Sequence, residues 1–162
     1  MICIGIDPGT ANTGFGVVEL RGTRLLALDG GVVTTTADER LENRLAAIHT
    51  RVAELIEEHR PVAMAIEDLY FGRNVSSALA VGHARGVAML AAAQAGIECT
   101  AYSPQQIKTS VCGSGRADKD QVTAMVQRLL GLHEPPRPDH AADALAAAIC
   151  HCSQVPFLIG AG

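Results

Sequence analysis

The chain predicts a layered α/β or α+β domain built on a mixed sheet, and three observations carry that prediction. Short apolar runs rich in β-branched residues crowd the first third, separated by turn signals too short for anything but antiparallel neighbours. The hydrophobic period then changes to three and four from Leu41 onward. Beyond it, strand-like runs alternate with helical ones, an order that lets later strands join the same sheet by crossover.

The first run, Ile2-Cys3-Ile4-Gly5-Ile6-Asp7, reads as a buried strand closed by Pro8-Gly9. It ends on a carboxylate, Asp7, with no basic residue before Arg21 to meet it. An ionised Asp in apolar surroundings needs compensation. A cation or the backbone amides of the following turn are the two ways to supply it. Thr10 to Gly14 reads as a polar turn, and Phe15 to Leu20 as a second strand. Leu25–Leu28 and Gly31–Thr36 continue the strand chemistry, with Arg21-Gly22 and Asp29-Gly30 as turn or bulge signals.

Leu41, Leu45, Ile48, Val52, Leu55 and Ile56 mark an amphipathic helix ending before Pro61. Val62 to Glu67 is another apolar strand terminating in a carboxylate, followed by a loop carrying Tyr70, Phe71 and Arg73. Val75 to Ala95 is an Ala-rich helix whose Ala78, Gly82 and Gly86 form a stripe of small residues, suited to packing on the sheet or on a second helix. Ile97 to Tyr102 is a short strand. Ser103-Pro104-Gln105-Gln106 then has the composition of a capped helix start, and that helix ends near Gly113. Asp118 to Leu130 is helical and closed by Gly131. After the extended Pro135–Pro138 connection, a final Ala-rich helix runs from about Asp139 to Cys152.

Length and composition place limits on function. At 162 residues, 48% apolar, the chain suits one domain, 1–162, with a real core. No apolar run escapes interruption over a membrane-spanning length, since Ala78 to Ala95 contains His83 and Arg85, and the N-terminus lacks a signal pattern. A cytoplasmic protein without a membrane partner is expected. Five cysteines without metal-ligand spacing read as small buried thiols. The net charge of −4 does not advertise nucleic-acid binding, but Leu69 to Arg116 holds four basic residues against one acid, leaving −7 on the remainder.

Asp7 and Glu67 at strand ends and Asp139, His140 and Asp143 at a helix start are the acidic sites set in apolar surroundings. His140 and Asp143, three apart, share a helix face. Hard oxygen ligands suit Mg²⁺ or Mn²⁺, with the imidazole better matched to Mn²⁺, and such a set describes a two-metal phosphodiester site. Asp139, following Pro138, reads first as a helix cap and second as a ligand.

Gly5-Ile6-Asp7-Pro8-Gly9, Ala65 through Phe71, Ser77-Ala78-Leu79 with Ala84 through Ala88, and Ala141 through Ala146 resemble, in order and over nearly the whole chain, the RuvC-type crossover-junction endonucleases. The resemblance implies a ribonuclease H-like fold, a mixed five-stranded sheet flanked by helices. It implies a homodimer that serves recombination and repair with a RuvA–RuvB branch-migration complex. The activity would be symmetrical nicking of two like-polarity strands of a four-way DNA junction, leaving 5′-phosphate and 3′-hydroxyl ends. Asp7, Glu67 and Asp143 would be catalytic and hold two divalent ions, Mg²⁺ or Mn²⁺. His140 falls where some members carry Asp, as ligand, general base or both. Phe71 would wedge against junction bases, its alternative being to cover the core edge. Lys108 and Lys119 match DNA-contacting positions, and Arg73, Arg85 and Arg116 suit phosphates. Lys119 also stands between Asp118 and Asp120, where a local ion pair is the alternative.

Three other readings compete. Asp7-Pro8-Gly9-Thr10 with Gly14 is similar to the first phosphate loop of actin-like ATPases and sugar kinases, which are longer two-domain proteins. The related YqgF-type nucleases act in RNA processing. A junction-binding scaffold with a decayed site is disfavoured by the three acidic positions.

Overall fold

The computed structural model describes residues 1–68 and 74–159, with side chains through 154. Strands β1 (Ile2–Asp7), β2 (Asn12–Arg21), β3 (Arg24–Thr34), β4 (Ala63–Glu67) and β5 (Glu98–Tyr102) form one sheet in the order β3-β2-β1-β4-β5. The first three pair antiparallel through short turns, and β1, β4 and β5 run parallel through helical crossovers. The mixed sheet is as expected.

Helices α1 (Leu41–His59) and α2 (Val75–Gln94) cover one face, and α3 (Pro104–Cys112), α4 (Lys119–Leu130) and α5 (Asp139–Ile159) the other. Strand alternation feeds two cores. Ile4, Ile6 and Val17 meet Ile48, Val52, Leu55 and the alanines of α2. Cys3, Val18 and Ala65 meet Ile107, Val126 and the apolar side of α5.

Helices α3 and α4 end close to where their sequence signals place them. Ser103 and Asp118 each build a reciprocal capping box, with Gln106 and Gln121, and Gly113 and Gly131 close α3 and α4 with positive φ.

Three expectations need correction. Thr10–Gly14 is not all turn, because β2 begins at Asn12. The buried Thr13 hydroxyl donates to the Gly9 carbonyl at 2.6 Å, which satisfies a polar group inside a strand. Gly31–Thr36 is no separate strand: β3 is continuous, and of the two signals read at Asp29-Gly30 the bulge holds. Val17 faces Asp29 while Val18 faces Ala27, so Leu28 is the extra residue. The last helix extends to Ile159, past the expected Cys152.

On length and hydropathy, α2 does reach a membrane-spanning window, with mean hydropathy 1.3, despite His83 and Arg85. In the fold its Ala84, Ala88, Ala91 and Ala92 are buried against the sheet and α1. The five cysteines are free thiols, and Cys3, Cys150 and Cys152 are buried.

Candidate active site

The carboxyl ends of two adjacent parallel strands place Asp7 and Glu67 side by side at one edge of the sheet. Ile6 pairs with Ile66 just before them, and Asp7 pairs with Gly14 of β2 on its other side. Carboxyl ends of parallel strands are where α/β sheets open to ligands.

Helix α5 brings the remaining acids, and glycines set how closely it lies. A Cβ at Gly5 would overlap the Ala144 carbonyl, one at Gly14 the His140 carbonyl, and one at Gly16 the Leu145 side chain and amide. With no side chains at these positions the helix backbone rests directly on β1 and β2. Gly14 stands beside Asp7, so His140 arrives above the strand end, and its Nδ1 lies 2.8 Å from Asp7 Oδ2. Asp143 follows one turn later. Sequence reasoning missed these glycines as positioning residues, although Gly14 and Gly16 inside an apolar strand were the available signal.

Lys119, the first residue of α4, reaches across to α5, with Nζ 3.3 Å from Asp143 and 3.4 Å from Asp139. The local pairing with Asp118 and Asp120 is therefore replaced by a tertiary one, because Asp118 caps its own helix through Gln121. Asp139 is the first residue of α5, so its expected capping role gives way to the ion pair with Lys119. Glu67, Lys108, Lys119 and Asp143 line a common cavity of about 180 Å³, with Ile107 and Val122 in its apolar wall. A wider groove of about 960 Å³ continues past Lys119, Asp139 and His140 to Arg137.

The electrostatics have one sign. Burial, then Asp7 and Asp143, push the Glu67 carboxyl up to about 7, with Lys108 and Lys119 opposing. Burial raises Asp7 as well; the hydrogen bond to His140 works against this and the Asp143 charge adds to it. Burial pulls Lys119 down, but Asp143 and Asp139 outweigh it and its affinity for the proton rises. Acids held this way are short of positive charge, and oxygen donors with an imidazole beside them fit a hard or borderline divalent cation.

The other sequence-predicted residues are placed differently. Arg116 is exposed on the loop before α4, beside Arg128. The Arg85 side chain is mostly buried, with its Nε enclosed, and its Nη2 pairs with Asp68 at 3.3 Å. Phe71 and Arg73 lie outside the described residues. Among the described residues, the trio whose ligand atoms all lie within 4.8 Å of one another is a different one, Asp29, Glu58 and His59. It joins the outer strand β3, where Asp29 faces Val17, to the last turn of α1, from which His59 Nε2 reaches to 3.1 Å from Asp29 Oδ2, away from the strand ends that carry Asp7 and Glu67.

A family model described as crossover junction endodeoxyribonuclease RuvC matches residues 3–151. The chain belongs to the RuvC family. The relative from Moorella thermoacetica is 51% identical over 157 residues, 97% of this chain and 94% of its own length. Among solved structures, Thermus thermophilus RuvC matches at 41% identity and TM-score 0.91, covering 97% of this chain and 96% of that one. The T. thermophilus RuvC complex with Holliday junction substrate matches at 42% identity and TM-score 0.93 with the same coverage. The ribonuclease H-like architecture implied by the sequence motifs is the architecture of these RuvC structures.

Proposed function

We propose that this chain resolves four-way DNA junctions by metal-dependent hydrolysis, nicking two strands of like polarity and leaving 5′-phosphate and 3′-hydroxyl ends for recombination and repair. The observation that carries the reading is the convergence of Asp7, Glu67 and Asp143 from β1, β4 and α5 in a chain that aligns over 97% of its length with a RuvC solved on a junction.

In this reading Asp7, Glu67 and Asp143 hold the cations, two ions of Mg²⁺ or Mn²⁺, with His140 or Asp139 as the further donor. Bound ions supply the activation of water and the stabilisation of the leaving oxygen. The protein's own side chains do the rest. His140 orients Asp7 through its Nδ1 contact, and Lys119 keeps Asp139 and Asp143 turned into the cleft. His140 is also the imidazole available as general base.

Lys108 and Lys119 beside the acids, and Arg116 on the loop before α4, are the cations assigned to phosphates, and Phe71 and Arg73 are carried over by resemblance alone. A homodimer is supported by the outward face of α2, where Val75, Leu79, Met89 and Leu90 are exposed around Gly86. We further assign one nuclease domain over 1–162, a cytoplasmic location in keeping with five free thiols, and a RuvA–RuvB partner.

The test is a synthetic four-way junction incubated with Mg²⁺ or Mn²⁺, products resolved strand by strand. Paired nicks in two like-polarity strands are expected. Equal cutting of linear duplex would assign a generic nuclease instead.

A further inference from the structure

We infer that Arg85 is a positioning residue: through Asp68 it holds the end of β4, and with it the Glu67 carboxylate, in place for cation binding. This rests on the junction-resolving site proposed above and differs from a phosphate contact, the role a surface arginine would take.

Three observations converge on it. Arg85 comes from the middle of α2, a helix anchored by Ala84, Ala88, Ala91 and Ala92 in the core, so its origin is rigid. Its side chain is only 21% exposed, its Nη2 donates to Asp68 Oδ1 at 3.3 Å, and its Nε is buried without a partner among the described residues. A side chain with its Nε buried and its Nη2 already committed to a carboxylate is poorly placed to meet a phosphate. Asp68 is itself tied down, its amide donating to the Tyr102 carbonyl at 2.8 Å and extending the β4–β5 ladder one bond beyond Glu67.

The Glu67 main chain is thus bounded on one side by the ladder and on the next residue by an ion pair to a fixed helix. This matters because the carboxylates of the cleft repel one another. A following residue held less firmly would let Glu67 shift outward, relaxing that repulsion and widening the spacing a shared ion needs.

The experiment compares Arg85→Ala, Arg85→Lys and Asp68→Asn with the unsubstituted chain. Mn²⁺ binding is followed by electron paramagnetic resonance, and junction cleavage and junction affinity are measured at two salt concentrations. Positioning predicts that Arg85→Ala weakens Mn²⁺ binding and lowers kcat by roughly ten- to a hundredfold, as loss of a supporting contact does elsewhere. Junction affinity and its salt dependence stay unchanged. Asp68→Asn behaves alike, and Arg85→Lys recovers part of the loss.

A phosphate contact predicts the opposite pattern. Arg85→Ala then weakens the junction complex and flattens its salt dependence at unchanged kcat, while Asp68→Asn, which frees the guanidinium, binds at least as tightly. That pattern overturns the inference, as does unaltered Mn²⁺ binding in Arg85→Lys and Asp68→Asn should Arg85→Ala fail to fold. If the unsubstituted chain cuts no junction, the functional reading falls, and the Mn²⁺ titration still decides whether Arg85 supports Glu67.

Discussion

Glu67 is the residue on which the site's charge balance can be read most simply. Its carboxyl, ordinarily near 4.5, is raised to about 7 by burial and by Asp7 and Asp143. Between those values the folded chain binds a proton that the unfolded chain has released. Stability without a divalent cation therefore falls as pH rises through that window. Replacing Glu67 with Gln should stabilise the cation-free protein by up to about 3 kcal/mol near pH 8 and by little near pH 5. Urea unfolding at the two pH values measures this, and an equal effect at both would mean that Glu67 is not strained in the folded state. Asp7→Asn, which keeps shape and removes charge, should abolish cleavage while junction binding persists. Nicking at an undiminished rate would remove Asp7 from the catalytic set.

At the scale of elements, the seating of α5 on a path of glycines places His140 and Asp143 over the strand ends. Gly14→Ala would press a methyl group into the His140 carbonyl and lift the start of the helix. The expected cost is about 1–3 kcal/mol in stability, together with a drop in cleavage on the order of 100-fold at near-normal junction affinity. Single-turnover cleavage beside a binding isotherm separates the two, and unchanged cleavage would show that the helix has room to spare. Helix periods were legible beforehand, as were the Ser103 cap and the closing Gly113 and Gly131, because these act on their own neighbours in sequence; the capping box of Asp118 was not read, and the cap expected at Asp139 did not form. Asp7, Glu67 and Asp143 stood out as acids in apolar runs, and the motifs around them carried the family and its fold. What could not be read was tertiary: that Thr13 finds its acceptor inside a strand, that Lys119 crosses to α5, and that Arg85 turns inward to Asp68. The lysine and the arginine depend on partners 24 and 17 residues away, and the threonine on the exact path of the turn four residues before it, with no local pattern to announce any of them.

For the whole molecule, the arrangement separates tasks by face. The strand ends carry the acids, the α3–α4 side carries Lys108, Arg116 and Lys119, and α2 offers an apolar surface of its own with Val75 78% and Leu79 60% exposed. Pairing of two chains through that surface would set two sites on one junction, as symmetrical nicking requires. Leu79→Glu should leave the circular dichroism intact and convert the protein to monomers in sedimentation velocity, with paired nicks reduced to single ones. A dimer that survives the substitution would move the interface elsewhere. The claim beneath all of this is that acids from β1, β4 and α5 share divalent cations, and anomalous diffraction from crystals soaked in Mn²⁺ tests it directly. Manganese is expected between Asp7, Glu67 and Asp143. Manganese confined to Asp29, Glu58 and His59, or none beside Asp7, would contradict it.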